Sequence, residues 1–273
     1  MNLLEYKFDK YTTTGNDGII EKILQIVDIN NGFFVEFGAW DGIKGSNCRK
    51  LFEEGWSGIF IEADPRKYAA LKENYRDQQQ IICINSFVDR EDNKFDNLVD
   101  RYVDNDIDFC SIDIDGLDLE IFETFKQYMP KIICIEGGQM LEPFYERVPE
   151  SISKNNVQQS LKVMVDTFNS RGYKILCTYQ DTFFIKEEYY HLFDISDNIM
   201  ELYLDGLLAH HRRIPWIKSI LRKNNLNNKL INYILQKTNY YKYGYSDRKR
   251  WAIQEKEITF EVINSLKEKL KNQ

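Results

Sequence analysis

The sequence predicts an α/β protein: a doubly wound, mostly parallel seven-stranded sheet followed by a C-terminal α-helical extension. Three observations predict it. Short runs that are apolar throughout alternate with helix-like segments, and strands of that kind belong to parallel sheets covered on both faces. The last two apolar runs follow each other with no helix between them, the pattern of an antiparallel pair. Strand signals then stop near residue 190 while helical ones continue, which divides the chain at 1–190 and 191–273.

The elements follow in order. Ile19–Val27 repeats Ile and Leu at helical spacing, and Phe33–Phe37 ends at Gly38 as a buried strand. Cys48–Gly55 reads as a helix and Gly58–Glu62 as the second strand. Pro65 favours a helix start, continued by Tyr68–Tyr75. Ile81–Ile84 is the third strand, Phe95–Val103 a helix, Phe109–Asp113 the fourth strand and Leu119–Tyr128 a helix. Lys131–Glu136 is the fifth strand. After a loop holding Pro143 and Pro149, Val157–Arg171 reads as a helix closed by Gly172, and Tyr173–Thr178 and Thr182–Lys186 form the closing pair. Ser196 caps a helix running to His211, and short amphipathic helices follow.

Composition bounds the class. The chain has 273 residues, 43% of them apolar and 29% charged, as in a folded globular protein. No apolar run approaches the roughly 18 residues that span a bilayer, and the N-terminus has no secretory pattern. The five cysteines show no metal-like spacing, so a cytoplasmic protein with reduced thiols is expected. The net charge is −7, unevenly spread: from Arg212 to Arg250 eleven Lys or Arg face one acid, Asp247. That segment suits an anionic partner or is a solvated helical face.

Open α/β sheets bind ligands at the carboxyl ends of their strands. The first strand leads into Glu36-Phe37-Gly38-Ala39-Trp40-Asp41-Gly42, with Ser46 and Asn47 beyond. The second ends in Glu62-Ala63-Asp64, and a carboxylate there can accept both hydrogen bonds of a ribose diol. The third leads to Asn85 and Ser86, suited to an adenine, and the fourth to Asp113-Ile114-Asp115-Gly116. A nicotinamide dinucleotide would require Gly-x-Gly-x-x-Gly. The loop here is spaced differently and holds Asp41, which repels a pyrophosphate and tolerates a sulfonium with an amino group. S-adenosylmethionine is therefore the expected cofactor.

These runs, together with Gly55-Trp56-x-Gly58-x-x-Ile61-Glu62 and the upstream Asn16-Asp17-Gly18, resemble the FkbM-like methyltransferases, especially those of bacterial capsule and surface-polysaccharide clusters. The resemblance covers about residues 12–140. It implies a Rossmann-like class I methyltransferase domain over 1–190, cofactor contacts from Asn16 through Asp113, and methyl transfer to oxygen, often on a sugar.

A hydroxyl acceptor must lose its proton to a base or be acidified by a metal. Asp113, Asp115 and Glu136 are the carboxylates expected for catalysis or for Mg²⁺. His210 and His211 are the alternative bases, and His191 is expected to pack. Arg212, Arg213 and Trp216 are expected to hold a nucleotide-linked sugar, Arg through its bidentate fork on phosphate. The extension binds this acceptor or dimerises the chain. A small phosphorylated or phosphoramidate metabolite is the rival acceptor, and a membrane-associated module the rival of another class. The acidic remainder of the chain argues against nucleic acid.

Overall fold

The computed structural model describes residues 1–103, 106–139, 141, 143–154 and 157–211. Seven strands form one sheet: β1 (Phe33–Phe37), β2 (Ser57–Glu62), β3 (Ile81–Asn85), β4 (Phe109–Ile112), β5 (Ile132–Glu136), β6 (Tyr173–Thr178) and β7 (Asp181–Lys186). Their order is β3-β2-β1-β4-β5-β7-β6. All neighbours are parallel except β7, which runs antiparallel to both β5 and β6. The doubly wound, mostly parallel sheet expected from the sequence is what forms, and its strand order reverses between β1 and β4.

Register explains how these apolar strands divide their side chains. Glu36 pairs with Phe60 and Ser111, Ser111 with Cys134, Cys134 with Phe183, and Glu62 with Asn85. Paired residues share a face and successive residues alternate. One face therefore carries Phe34, Phe60, Phe109, Ile132 and Phe183. The other carries Val35, Ile59, Cys110, Ile133 and Phe184. Both are buried, and each large apolar side chain removed from water contributes about 1.5–3 kcal/mol before entropic costs. On the first face the residues nearest the carboxyl ends of the parallel strands turn polar, Glu36, Glu62, Ser111 and Glu136, and Asp181 at the amino end of antiparallel β7 pairs with Glu136 at the same edge.

Helices cover each face. On the first, α1 (Asn16–Ile26) buries Ile19, Ile20, Ile23 and Leu24, an i, i+3, i+4 stripe. It begins at Asn16, so the Asn16-Asp17-Gly18 run lies inside the helix. Asp17 Oδ2 accepts from the backbone N–H groups of Lys10, Tyr11 and Thr12 and fastens the preceding segment to its first turn. α2 (Arg49–Glu53) and α3 (Pro65–Asn74) follow β1 and β2; Asp64 caps α3 by accepting from Arg66 and Lys67. α4 (Phe95–Val99) and α5 (Asp118–Phe122) are shorter than their apolar patterns suggested. Phe125 is nonetheless buried beyond α5 and stacks on Phe95 at 4.0 Å, so packing rather than helix continues the pattern.

After β5 the chain forms the turn-like α6 (Glu150–Ser153) and then α7 (Leu161–Asn169). α7 starts four residues later than the expected Val157. Ser160 caps it, and Gln158 and Gln159 before it direct their side chains to carboxylates elsewhere. α8 (Glu187–Tyr190) leads to α9 (Ile199–His211). Asn198 rather than Ser196 caps α9, its Oδ1 accepting from Glu201 N–H at 3.1 Å. Gly206 lets α9 lie against the end of β6: a Cβ there would fall 2.2 Å from the Thr178 carbonyl oxygen. The five cysteines are free thiols. Among the described residues no helix is long and apolar enough to cross a membrane. The helices expected beyond His211 lie outside the described residues.

Candidate functional site

The carboxyl edge of the sheet at the reversal between β1 and β4 is built first by glycine. Gly38 has φ +64°, and a Cβ on it would stand 1.9 Å from the Asp113 carbonyl oxygen. The loops after β1 and β4 therefore touch through backbone, an approach that no side chain permits.

The acids on the β1–β2 side are occupied with backbone. Glu62 is buried; its Oε2 accepts from Trp40 N–H at 2.8 Å and its Oε1 from Asp64 N–H at 2.7 Å. That bond holds Trp40 at φ +51° with half its surface exposed, 50%. Asp41 Oδ1 accepts from the N–H groups of Ile43 and Lys44, both at 2.9 Å, a self-contained turn. Glu36 lies buried beneath the loop, accepting from Ser46 Oγ at 2.6 Å and Asn47 N–H at 2.8 Å. Burial pushes its carboxyl up to about 7 against the pull of those hydrogen bonds. Asn85 Nδ2 donates to the Glu62 and Ala63 carbonyls at 2.7 and 3.2 Å and braces the turn after β2. Ser86 Oγ donates to the Phe87 carbonyl, and the Phe87 ring stands 62% exposed beside this turn.

Behind the edge runs a buried polar chain. Asn16 Nδ2 donates to Asn47 Oδ1 at 2.9 Å and to Asp181 Oδ2, and Asn47 Nδ2 donates to Ser111 Oγ at 2.9 Å. Asn16 Oδ1 is buried without a hydrogen-bond partner. These side chains join α1, the β1 loop, β4 and β7 in one network, so Asn16, Ser46 and Asn47 stand behind the loop surface.

The β4 side is different. Asp113, Asp115 and Glu136 bring carboxylate oxygens within 4.8 Å of one another. Asp113 and Asp115 are reached by solvent and Glu136 is half-buried. Protein atoms surround Asp113 even so. That burial, with Glu136, Asp181, Asp118 and Asp115 as like charges, raises its carboxyl to about 9. Asp115 sits at φ +59°. Asp118, fully buried, holds the loop: it accepts from Ile114 N–H at 2.8 Å and Gly116 N–H at 3.0 Å. Gln158 Nε2 then bridges Asp118 Oδ2 at 2.8 Å and Glu136 Oε2 at 2.6 Å.

The structure thus gathers Asp113, Asp115 and Glu136 and sets Glu36, Glu62, Asp41 and Asn85 to bracing loops. Asp118 makes the loop's amide contacts. His191 does not pack: it is exposed, with Nδ1 at 2.8 Å from the Glu188 carbonyl. The side chains of His210 and His211, and all of Arg212, Arg213 and Trp216, lie outside the described residues. Asp118, Gln158, Ser111 and Asp181 escaped the sequence reading. An acid at the first turn of a predicted helix was a usable signal for Asp118; Gln158 and Asp181 carried none, because their partners are distant in sequence.

The sequence matches no protein-family profile and no curated protein. Solved structures with a similar chain course include a SAM-dependent methyltransferase from Aquifex aeolicus, at 16% identity and TM-score 0.40 over 60% of this chain and 86% of that one. TrmK of M. capricolum, in complex with S-adenosyl-homocysteine, shows 16% identity and TM-score 0.41 over 80% and 93%. The SAH-bound methyltransferase PaMTH1 of Podospora anserina shows 10% and 0.42 over 63% and 78%. At these values the likeness is one of chain course and assigns no chemistry to this chain.

Proposed function

We propose that the chain is an S-adenosylmethionine-dependent O-methyltransferase acting on a sugar hydroxyl, with a nucleotide-activated sugar as the acceptor class. One observation carries the reading: at the β1/β4 reversal, Gly38 lies backbone to backbone against an edge where the carboxylates of Asp113, Asp115 and Glu136 converge within 4.8 Å of one another. Such an edge repels a pyrophosphate and favours a ligand that is both cationic and able to approach closely.

The residues fit that cofactor. Glu62 uses one lone pair on each oxygen for backbone and keeps others for a ribose diol. Phe87 offers an exposed ring, and Ser86 a hydroxyl, beside it for an adenine. The carboxylates of Asp113, Asp115 and Glu136 face the positive charge. S-adenosylmethionine supplies a methyl group on a sulfonium, which makes it electrophilic toward an in-line oxygen.

The chain's own work is then to align the acceptor and take its proton. Asp113 is the group we assign as the proton acceptor. Its raised proton affinity suits a base, and a cationic neighbour brings it back toward the ionised form. The same three carboxylates fit Mg²⁺, whose chemistry would be to acidify a sugar hydroxyl. α9 lies against the end of β6, and we assign acceptor binding to the chain that follows it on the sequence pattern of Arg212, Arg213 and Trp216. The sugar rests on the FkbM-like resemblance of the quoted residues.

Calorimetry of the full chain with S-adenosylhomocysteine tests the cofactor. Labelled methyl transfer to a panel of nucleotide sugars tests the acceptor. Absence of any S-adenosylhomocysteine binding removes the first claim. Turnover confined to non-sugar phosphates replaces the second.

A further inference from the structure

Beside the three carboxylates, two segments distant in sequence are laced together. Arg147 makes two bonds of 2.7 Å to Glu123, and Gln159 Nε2 donates to Glu120 Oε1 at 2.8 Å. Ser153 Oγ donates to the Gly116 carbonyl at 3.2 Å. These contacts fasten the stretch after β5 to α5 and its approach. Gln158 does something else: its amide reaches Asp118, which fixes the loop bearing Asp113 and Asp115, and Glu136, the third carboxylate.

Resting on the cofactor reading above, we propose that Gln158 is a positioning residue, which sets the spacing of Asp113, Asp115 and Glu136 so that the site prefers a cationic over a neutral sulfur. The residue type carries the argument. A Lys or Arg in this place would tie the same two acids but neutralise the charge that attracts the ligand. An apolar side chain would leave Asp118 and Glu136 to repel each other. An amide ties both carboxylates through its two hydrogens and leaves their charge in place. Gln158 is itself 1% exposed and Asp118 0%, so little solvent competes for these bonds. Two of the sites held are on a loop at the end of β4 and one is on β5, so a single side chain sets a distance that neither strand sets alone.

The test is calorimetry of the full chain with S-adenosylmethionine and, separately, S-adenosylhomocysteine, without acceptor. The two differ at the sulfur, charged in one and neutral in the other, so the ratio of their affinities reads the field of the carboxylates. Gln158→Met keeps the length and removes both donors; it is expected to lower the ratio about fivefold. Gln158→His keeps a ring donor for one partner, and an intermediate fall is expected; it carries the test if the Met variant does not fold. Arg147→Ala cuts the neighbouring surface tie without touching the carboxylates and leaves the ratio unchanged. A merely structural Gln158 lowers both affinities together, at constant ratio. That result, or an equal fall in Arg147→Ala, overturns the inference while the cofactor reading stands. A wild-type chain that binds neither compound overturns both.

Discussion

The two halves of the carboxyl edge use the same residue type for opposite ends. On the β1–β2 side, Glu36, Asp41 and Glu62 each accept hydrogen bonds from backbone N–H groups or a neighbouring hydroxyl, and so shape loops. On the β4–β5 side, Asp113, Asp115 and Glu136 converge on one another, and the crowding raises the proton affinity of Asp113. One half spends its acids on geometry and the other presents charge. The lesson is that an acid at a strand end is defined by the nearest donor, and a backbone amide within reach decides for bracing.

The sharpest way to break this comparison is at the seam between the halves. Gly38→Ala forces a Cβ into the Asp113 carbonyl at a backbone angle that disfavours any side chain. A loss of at least about 2 kcal/mol of stability is expected, with loss of cofactor binding. Thermal melts and calorimetry check it; a variant that binds as well as wild type shows that the halves do not depend on this contact.

The next largest effect is on pH dependence. Folding raises Glu36 and Asp118 from ordinary carboxylate values to about 7, and Asp113 to about 9. Burial is the first cause in all three. The unfolded chain ionises these groups at their ordinary values while the folded chain resists. Their contribution is therefore fully present below those values and is lost as pH rises through about 7, and for Asp113 through about 9. The unliganded protein should melt at lower temperature at about pH 8 than at about pH 5, and S-adenosylmethionine should reduce the difference. A melting curve flat in pH would contradict the presented-charge half of the comparison.

Glu62→Gln separates the two roles on the bracing side. The amide keeps one acceptor oxygen, so either the Trp40 or the Asp64 contact is lost, and a destabilisation of about 1 kcal/mol is expected. S-adenosylhomocysteine affinity should fall about tenfold if the residue also holds a ribose. Unchanged affinity in calorimetry would leave Glu62 as a brace alone. The smallest effect is expected from Trp40→Ala, because Lys67 lies over an already exposed ring at 4.6 Å. Stability should change by less than about 1 kcal/mol, and any larger loss of ligand affinity would make Trp40 part of the binding surface.

Much of the fold was legible because apolar runs and their breakers repeat along the chain. Phe33–Phe37, Ile81–Asn85 and Ile132–Glu136 have no ambiguity of period once Gly, Pro or a polar loop bounds them. Helix ends were less legible: the apolar pattern through Phe125 and at Val157 reports burial, and burial does not require a helix. The acids at strand ends were likewise visible as residues and their jobs were not.

The sequence by itself determined the sheet, its two apolar faces and the clustering of polar residues at one edge, because side-chain alternation and chain connectivity are local properties. Only the tertiary structure decided which acids brace and which confront each other. That choice depends on register between β1, β4, β5 and β7 and on a single amide, Gln158, reaching back across 40 residues to Asp118. Hydrogen bonds are satisfied in space, and linear order does not encode which donor arrives first.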